Sequence, residues 1–200
     1  MTDASAIKTR LTQPWEHGQY EDFSGITCHE ALDLSGLSLC GVDFSRACFK
    51  GPVTLKATHF RGISWFAGAT FEAGLELRSC QFDNDARFEN TTFLQPVIGN
   101  HAEFRGVACF DGARFDERCD FSNIVSYGNF ALQNARFVQS ALFKGAEFMG
   151  GLWCDHCQLP HETDFDAAQV HGRLWLRNAQ RNQNSLPPET FNMSFGYVWA

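Results

Sequence analysis

LDLSGLSLCGVDFSRACFKG, residues 32–51, divides into four units of five: LDLSG, LSLCG, VDFSR and ACFKG. Each unit has a large apolar residue at its centre, Leu34, Leu39, Phe44 or Phe49, and a smaller or aliphatic one two places earlier. A unit of five cannot bury a phenyl ring by itself. The stretch makes physical sense only as part of a longer stack.

The pattern continues down the chain. After Phe49 the large residues are Leu55, Phe60, Phe66, Phe71, Leu77, Phe82, Phe88 and Phe93, at steps of alternately 6 and 5. It lapses at Gly99, recovers through Phe104, Phe110, Phe115 and Phe121, and lapses again at Ser126. It then runs through Leu132, Phe137, Phe143, Phe148, Cys154, Leu159, Phe165, Val170 and Leu176. From Phe44 onward, 16 of the 20 Phe fall on these positions, far more than chance would place there.

The residue two places before each centre is small or apolar and never charged, as in Val42, Ala69, Ala86, Cys119 and Ala146. The residue between is unconstrained: Arg87, Glu103, Arg114, Asp120, Glu147. That alternation is the period of extended chain. Two places after many centres stand Gly62, Gly68, Asn84, Asn90, Gly106, Gly112, Gly150 and Gly172, which we expect at corners in left-handed backbone conformations. Short extended pieces separated by corners form a solenoid, not a flat sheet. The 5/6 spacing misses the 3.6-residue period of a helix.

Net charge is −7, which argues against direct attraction to nucleic acid or an anionic membrane. No apolar run approaches the ~18 residues of a membrane span, and the first residues do not read as a secretory signal. Eight Cys in a chain of this kind read as free thiols. We expect a cytoplasmic protein.

The repeat resembles the pentapeptide-repeat family, in particular a Phe-rich, 11-residue double-repeat variant found among bacterial members. The resemblance covers about residues 23–178. It implies an all-β fold: a right-handed quadrilateral β-helix with four units to a coil, whose central residues fill the axis. The alternating steps lengthen each coil by two positions over four plain units of five, with two opposite corners widened. About seven coils at ~4.8 Å each would form a rod roughly 34 Å long. Residues 1–22, with Ile7, Leu11 and Trp15, are expected to form an N-terminal cap or arm. Residues 179–200, which break at Pro187-Pro188, are expected to form a C-terminal cap or dimerisation tail. Phe191, Phe195, Tyr197 and Trp199 would make the cap or dimer contact.

The strongest candidate for chemistry is WCDHCQLPHETD, residues 153–164. Cys154 and Cys157 form a CxxC, with His156 and His161 nearby. A metal- or thiol-dependent enzyme using this region is the alternative to an interaction protein. The repeat opposes it, because it turns both thiols inward and both imidazoles outward, whereas a structural zinc site needs four convergent ligands. Cys80 and Cys119 also fall on inward positions, while Cys40, Cys48 and Cys109 fall on outward ones, where a thiol can react. His59, His101 and His171 read as surface or corner residues. No catalytic, cofactor or metal motif stands out.

Residues 22 apart share a row on one face. Glu89, Asp111 and Asp155 fall on one row, interrupted by Gln133. Glu76, Asp120 and Asp164 fall on another, interrupted by Ile98 and Leu142. These six acids are the candidate partner-binding residues. The resemblance implies a non-catalytic scaffold that binds a protein partner through the faces of a rigid rod. For a subset of the family it implies a dimeric mimic of DNA acting on DNA gyrase or topoisomerase IV.

Overall fold

The computed structural model describes residues 3–193 and 196–199. The chain passes around four faces in turn, laying a strand of two or three residues on each. Face A opens with Tyr20–Asp22, Gly41–Asp43 and Ser64–Trp65, and face B with Thr27–Cys28 and Cys48–Phe49. Face C opens with Leu32–Asp33 and Val53–Thr54, and face D with Ser38–Leu39 and His59–Phe60. Each face is a parallel sheet running the length of the rod. Val42 pairs with Ser64, Phe71 with Phe93, Leu75 with Val97 and Phe82 with Phe104, all on one 22-residue period.

The first coil is one residue shorter: Glu21 pairs with Val42 and Leu32 with Val53. That is where the opening stretch keeps to units of five. The rod has about eight coils, not seven. The extra coil comes from the tail, which rejoins face D through Asn192–Met193 and face A through Val198–Trp199. Its pairings, Val170 with Met193 and Leu174 with Val198, are longer than the 22-residue period, which therefore does not reveal them.

The corners are of two kinds. After faces A and C the chain turns tightly, with a left-handed residue at Arg46, Ala57, Gly68, Ser79, Asn90 and their successors. After faces B and D the corner is one residue wider. There the expectation for Gly62, Asn84, Gly106, Gly150 and Gly172 needs correcting, since none has a positive φ. The glycines at these corners are required for space instead. A Cβ on Gly62 would lie 2.5 Å from the nitrogen of Gly41, and one on Gly150 would overlap the carbonyl group of Gly128.

The core is a set of ring columns. Phe66 stacks on Phe88 at 4.6 Å, Phe60 on Phe82 at 4.9 Å and Phe115 on Phe137 at 4.4 Å, with planes within 2° of parallel. Burying each such side chain contributes about 2–3 kcal/mol. The structure also explains both lapses. At Gly99 the ring of Phe121 occupies the space, 2.5 Å from where a Cβ would stand. At Ser126 the missing ring is replaced from face A. Phe130 sits in a slot usually given to a small residue and reaches Phe104 at 5.8 Å and Phe148 at 5.4 Å.

Both ends are covered. Helix α1, Ala4–Leu11, is capped by the Asp3 carboxylate, which accepts from the Ser5 N–H at 2.8 Å. It buries Ile7 and Leu11 and lies against Leu32–Asp33. Arg10 fixes it there, with its guanidinium 4.3 Å from the Phe23 ring centre and its Nε donating to Glu21 at 2.9 Å. At the other end Gln180–Arg181 folds back on Asn184–Ser185 as a hairpin. Phe191 is buried 4.7 Å from Phe165, so it packs on its own rod. Tyr197 is exposed, with Arg173 over its ring at 5.3 Å. Phe195 and the side chain of Trp199 lie outside the described residues. Among the described residues, no helix is long and apolar enough to cross a membrane.

Truncating Phe130 to Ala should cost about 3–5 kcal/mol in urea unfolding followed by circular dichroism. Adding Ser126→Phe should then restore the usual large-and-small arrangement and recover more than ~1 kcal/mol beyond additivity. Strictly additive losses would mean that Phe130 does not fill the space left at Ser126.

Candidate partner-binding surface

In-register stacking fixes the outward side chains into rows. The row carrying Glu89, Asp111 and Asp155 runs down the tight corner after face A, and its acids are already engaged. Glu89 receives Arg87 at 2.5 Å. Asp111 accepts from both the backbone N–H and the side-chain amide of Gln133, at 2.8 and 3.0 Å. Asp155 is buried and takes two bonds from Arg177, at 3.2 and 2.6 Å. These carboxylates are tied up within the rod and are not an open ladder.

The second row stands on face C. Thr54, Glu76, Ile98, Asp120, Leu142 and Asp164 follow one another in strict register. Acidic and apolar residues alternate from Glu76 onward, so successive acids are about 9.6 Å apart. Glu76 has Arg78 at 3.7 Å and Asp120 has Arg118 at 3.0 Å. Burial pushes the Asp120 carboxyl up, but the Ser122 hydrogen bonds and Arg118 outweigh it and leave the group below its ordinary value. Asp164 accepts from the Asp166 N–H at 2.7 Å. Beside this row, Pro52, Pro96 and Ile98 line a shallow, mostly apolar depression next to Glu76.

Face D carries an ionic cluster. Asp83 receives His59 at 2.8 Å, Arg105 at 3.1 Å and Arg61 at 3.3 Å. His101 sits at a left-handed corner, and His171 is half-buried on the outer surface beyond face D. Face A carries something the sequence reading missed. Trp65, Arg87, Cys109, Ala131, Trp153 and Trp175 are successive members of one outward row, and the backbone of Trp199 pairs with Trp175 in the same register. Trp153 and Trp175 approach to 5.5 Å. Four of the five Trp thus share a row, and the 22-residue period, applied to Trp as it was to Asp and Glu, would have found three of them.

The family model for pentapeptide repeats (9 copies) matches residues 41–81 and 57–98. Residues 41–98 are pentapeptide repeats. No curated protein and no solved structure matches it. The same register carries the repeat beyond the matched stretch, through the coils that follow.

The region around Cys154 is arranged for packing. Cys154 and Cys157 are fully buried and point into the core. A hydrogen bond between the two thiols, and then burial, pushes Cys154 well above the ordinary thiol range. His156 stands at a left-handed corner, its Nε2 3.0 Å from the Asn178 amide, and His161 is exposed. Thiols and imidazoles do not converge. Among the described residues no group of three or more His, Cys, Asp or Glu is placed to hold a metal ion.

The expectation that Cys40, Cys48 and Cys109 are outward and open to reaction holds for one of them at most. Cys40 is buried and donates to the Gly41 carbonyl at 3.1 Å. Cys109 is 6% exposed, and burial raises its pKa to about 12. Cys48 alone among the eight is not buried. Desolvation, and then Glu72 at 3.3 Å, still pushes its thiol up. A thiol-reactive disulfide reagent at neutral pH should therefore label Cys48 slowly in the native protein, and the other cysteines only on unfolding. Fast native labelling of Cys154 or Cys157, located by peptide mass spectrometry, would place those thiols outside the core.

Proposed function

We propose that this pentapeptide-repeat protein is a non-catalytic interaction rod that holds a basic protein partner along face C. The observation that carries the reading is the row Glu76, Ile98, Asp120, Leu142, Asp164. It repeats an acid at every second coil, with a large apolar residue between. Apolar anchors flanked by charge are the anatomy of a protein interface. Parallel pairing along the rod holds the spacing rigid, so little ordering entropy opposes binding.

The specific form of the proposal makes the partner a type II topoisomerase, DNA gyrase or topoisomerase IV, with the face C acids standing where DNA phosphates would. A net charge of −7 supports that form. The sparse spacing limits it: one acid per ~9.6 Å against one phosphate per ~3.4 Å of each DNA strand. Few charges carry the contact, so few substitutions should abolish it.

A gyrase supercoiling assay with purified protein tests this. Inhibition at micromolar concentration is expected, weakened roughly tenfold or more by Glu76→Lys, Asp120→Lys and Asp164→Lys together, and unchanged by Glu89→Gln. Inhibition that survives the triple change would move the contact off face C. No inhibition would reject the topoisomerase as partner.

A further inference from the structure

Face A ends, toward the N-terminus, in a cavity of about 210 Å³. Three aromatic side chains wall it. Tyr20 and Trp65 meet edge to face at 5.6 Å, and Trp15, the fifth tryptophan, comes from the segment that leads out of helix α1. Its floor is bare backbone at Gly41 and Gly62; a side chain on Gly62 would strike Gly41 of the neighbouring coil, and a Cβ on Gly41 would be crowded at 3.0 Å by the Ile63 carbonyl oxygen. The hollow therefore follows from the wide corner itself.

Among the described residues, Arg61 is the only Lys, Arg, Asp or Glu in the lining, in a chain whose net charge is −7. Its guanidinium is weakly held, with Nε 3.3 Å from the Ser38 hydroxyl and Nη1 3.3 Å from Asp83. Asp83 is shared: His59 and Arg105 approach it more closely than Arg61 does. Arg105 is also paired with Glu103 at 2.6 Å, so Arg61 is the cation left to Asp83, and with two long bonds in use it keeps N–H donors for a further acceptor. The Gln19 side-chain oxygen accepts from the Glu16 N–H at 2.7 Å, which leaves its NH₂ group as a second donor on the rim.

We propose that this cavity is a binding site for a small aromatic carboxylate, a free planar acid of one or two rings. The ring would stand between Trp65, Tyr20 and Trp15. The carboxylate would take the planar fork of Arg61, with Gln19 beside it. The volume admits one bicyclic ring and little more, which makes the site selective by size. A cationic ligand is disfavoured, because the lining includes Arg61 and no carboxylate of the described residues. This site is separate from face C and stands or falls independently of the topoisomerase reading.

Calorimetric titration of the full chain with 1-naphthoate tests the proposal, with 1-naphthalenemethanol as the neutral comparator. Saturable binding of the acid is expected, about tenfold or more tighter than the alcohol. Arg61→Gln should remove that preference while leaving the alcohol unaffected. Trp65→Ala and Trp15→Ala should each weaken both probes, with circular dichroism melting confirming that each variant is folded. Three results would overturn the proposal: no saturable heat up to millimolar acid, equal affinity for acid and alcohol, or unchanged binding of the acid in both tryptophan variants.

Discussion

Two lengths coincide in this molecule. Parallel strands in neighbouring coils are about 4.8 Å apart, and its phenyl rings stack at 4.4–5.6 Å. A chain that returns to the same face on a 22-residue period can therefore hydrogen-bond its backbone and stack its rings with one movement. A slip of one residue would break that agreement, since it turns inward side chains outward. The corners, the small slots and the caps all serve that match. Where a ring is missing, a neighbour moves in, as Phe121 does at Gly99 and Phe130 does at Ser126.

The same register that builds the core organises the surface. Outward residues appear as rows, and each row acts as a unit. The acids of the face A corner pair with Arg or Gln from their own or an adjacent coil and so become part of the structure. Those of face C alternate with Ile98 and Leu142 and resemble an interface. The aromatic row of face A ends at a corner where glycine keeps the surface open. Function on such a scaffold is a property of a row or of a corner, because the connections between its strands are too short to carry it.

Much of this could be read in the sequence, because the period is short and the ring positions are chemically extreme. The inward placement of Cys154 and Cys157, the outward placement of His156 and the widened corners all followed from counting. Other features could not be read this way. The glycines at 62, 106, 150 and 172 look like left-handed corner residues, but their need arises from the backbone of the preceding coil. The eighth coil is built from a tail whose hairpin and Pro187-Pro188 shift the register, so no fixed period reaches it. The engagement of Asp111 by Gln133 and of Asp155 by Arg177 depends on side-chain geometry, which spacing does not contain. The cavity combines residues from before the first coil with others from the next two coils and beyond, and no linear motif links them.

The 22-residue register also has a mechanical meaning. Tension applied to the ends would peel the rod one coil at a time, each release freeing roughly 75 Å of contour in exchange for a single ~4.8 Å step of rod. The steps would not be equally hard. Toward the N-terminus, Phe23, Phe44, Phe66, Phe88 and Phe110 form an unbroken ring column. Its continuation, Leu132, Cys154 and Leu176, has no ring to stack. The column below face C is graded the other way, from Leu34, Leu55 and Leu77 to Phe121, Phe143 and Phe165. Both end coils therefore hold fewer rings than the middle ones, and peeling would begin at an end and slow toward the ring-rich middle of the rod.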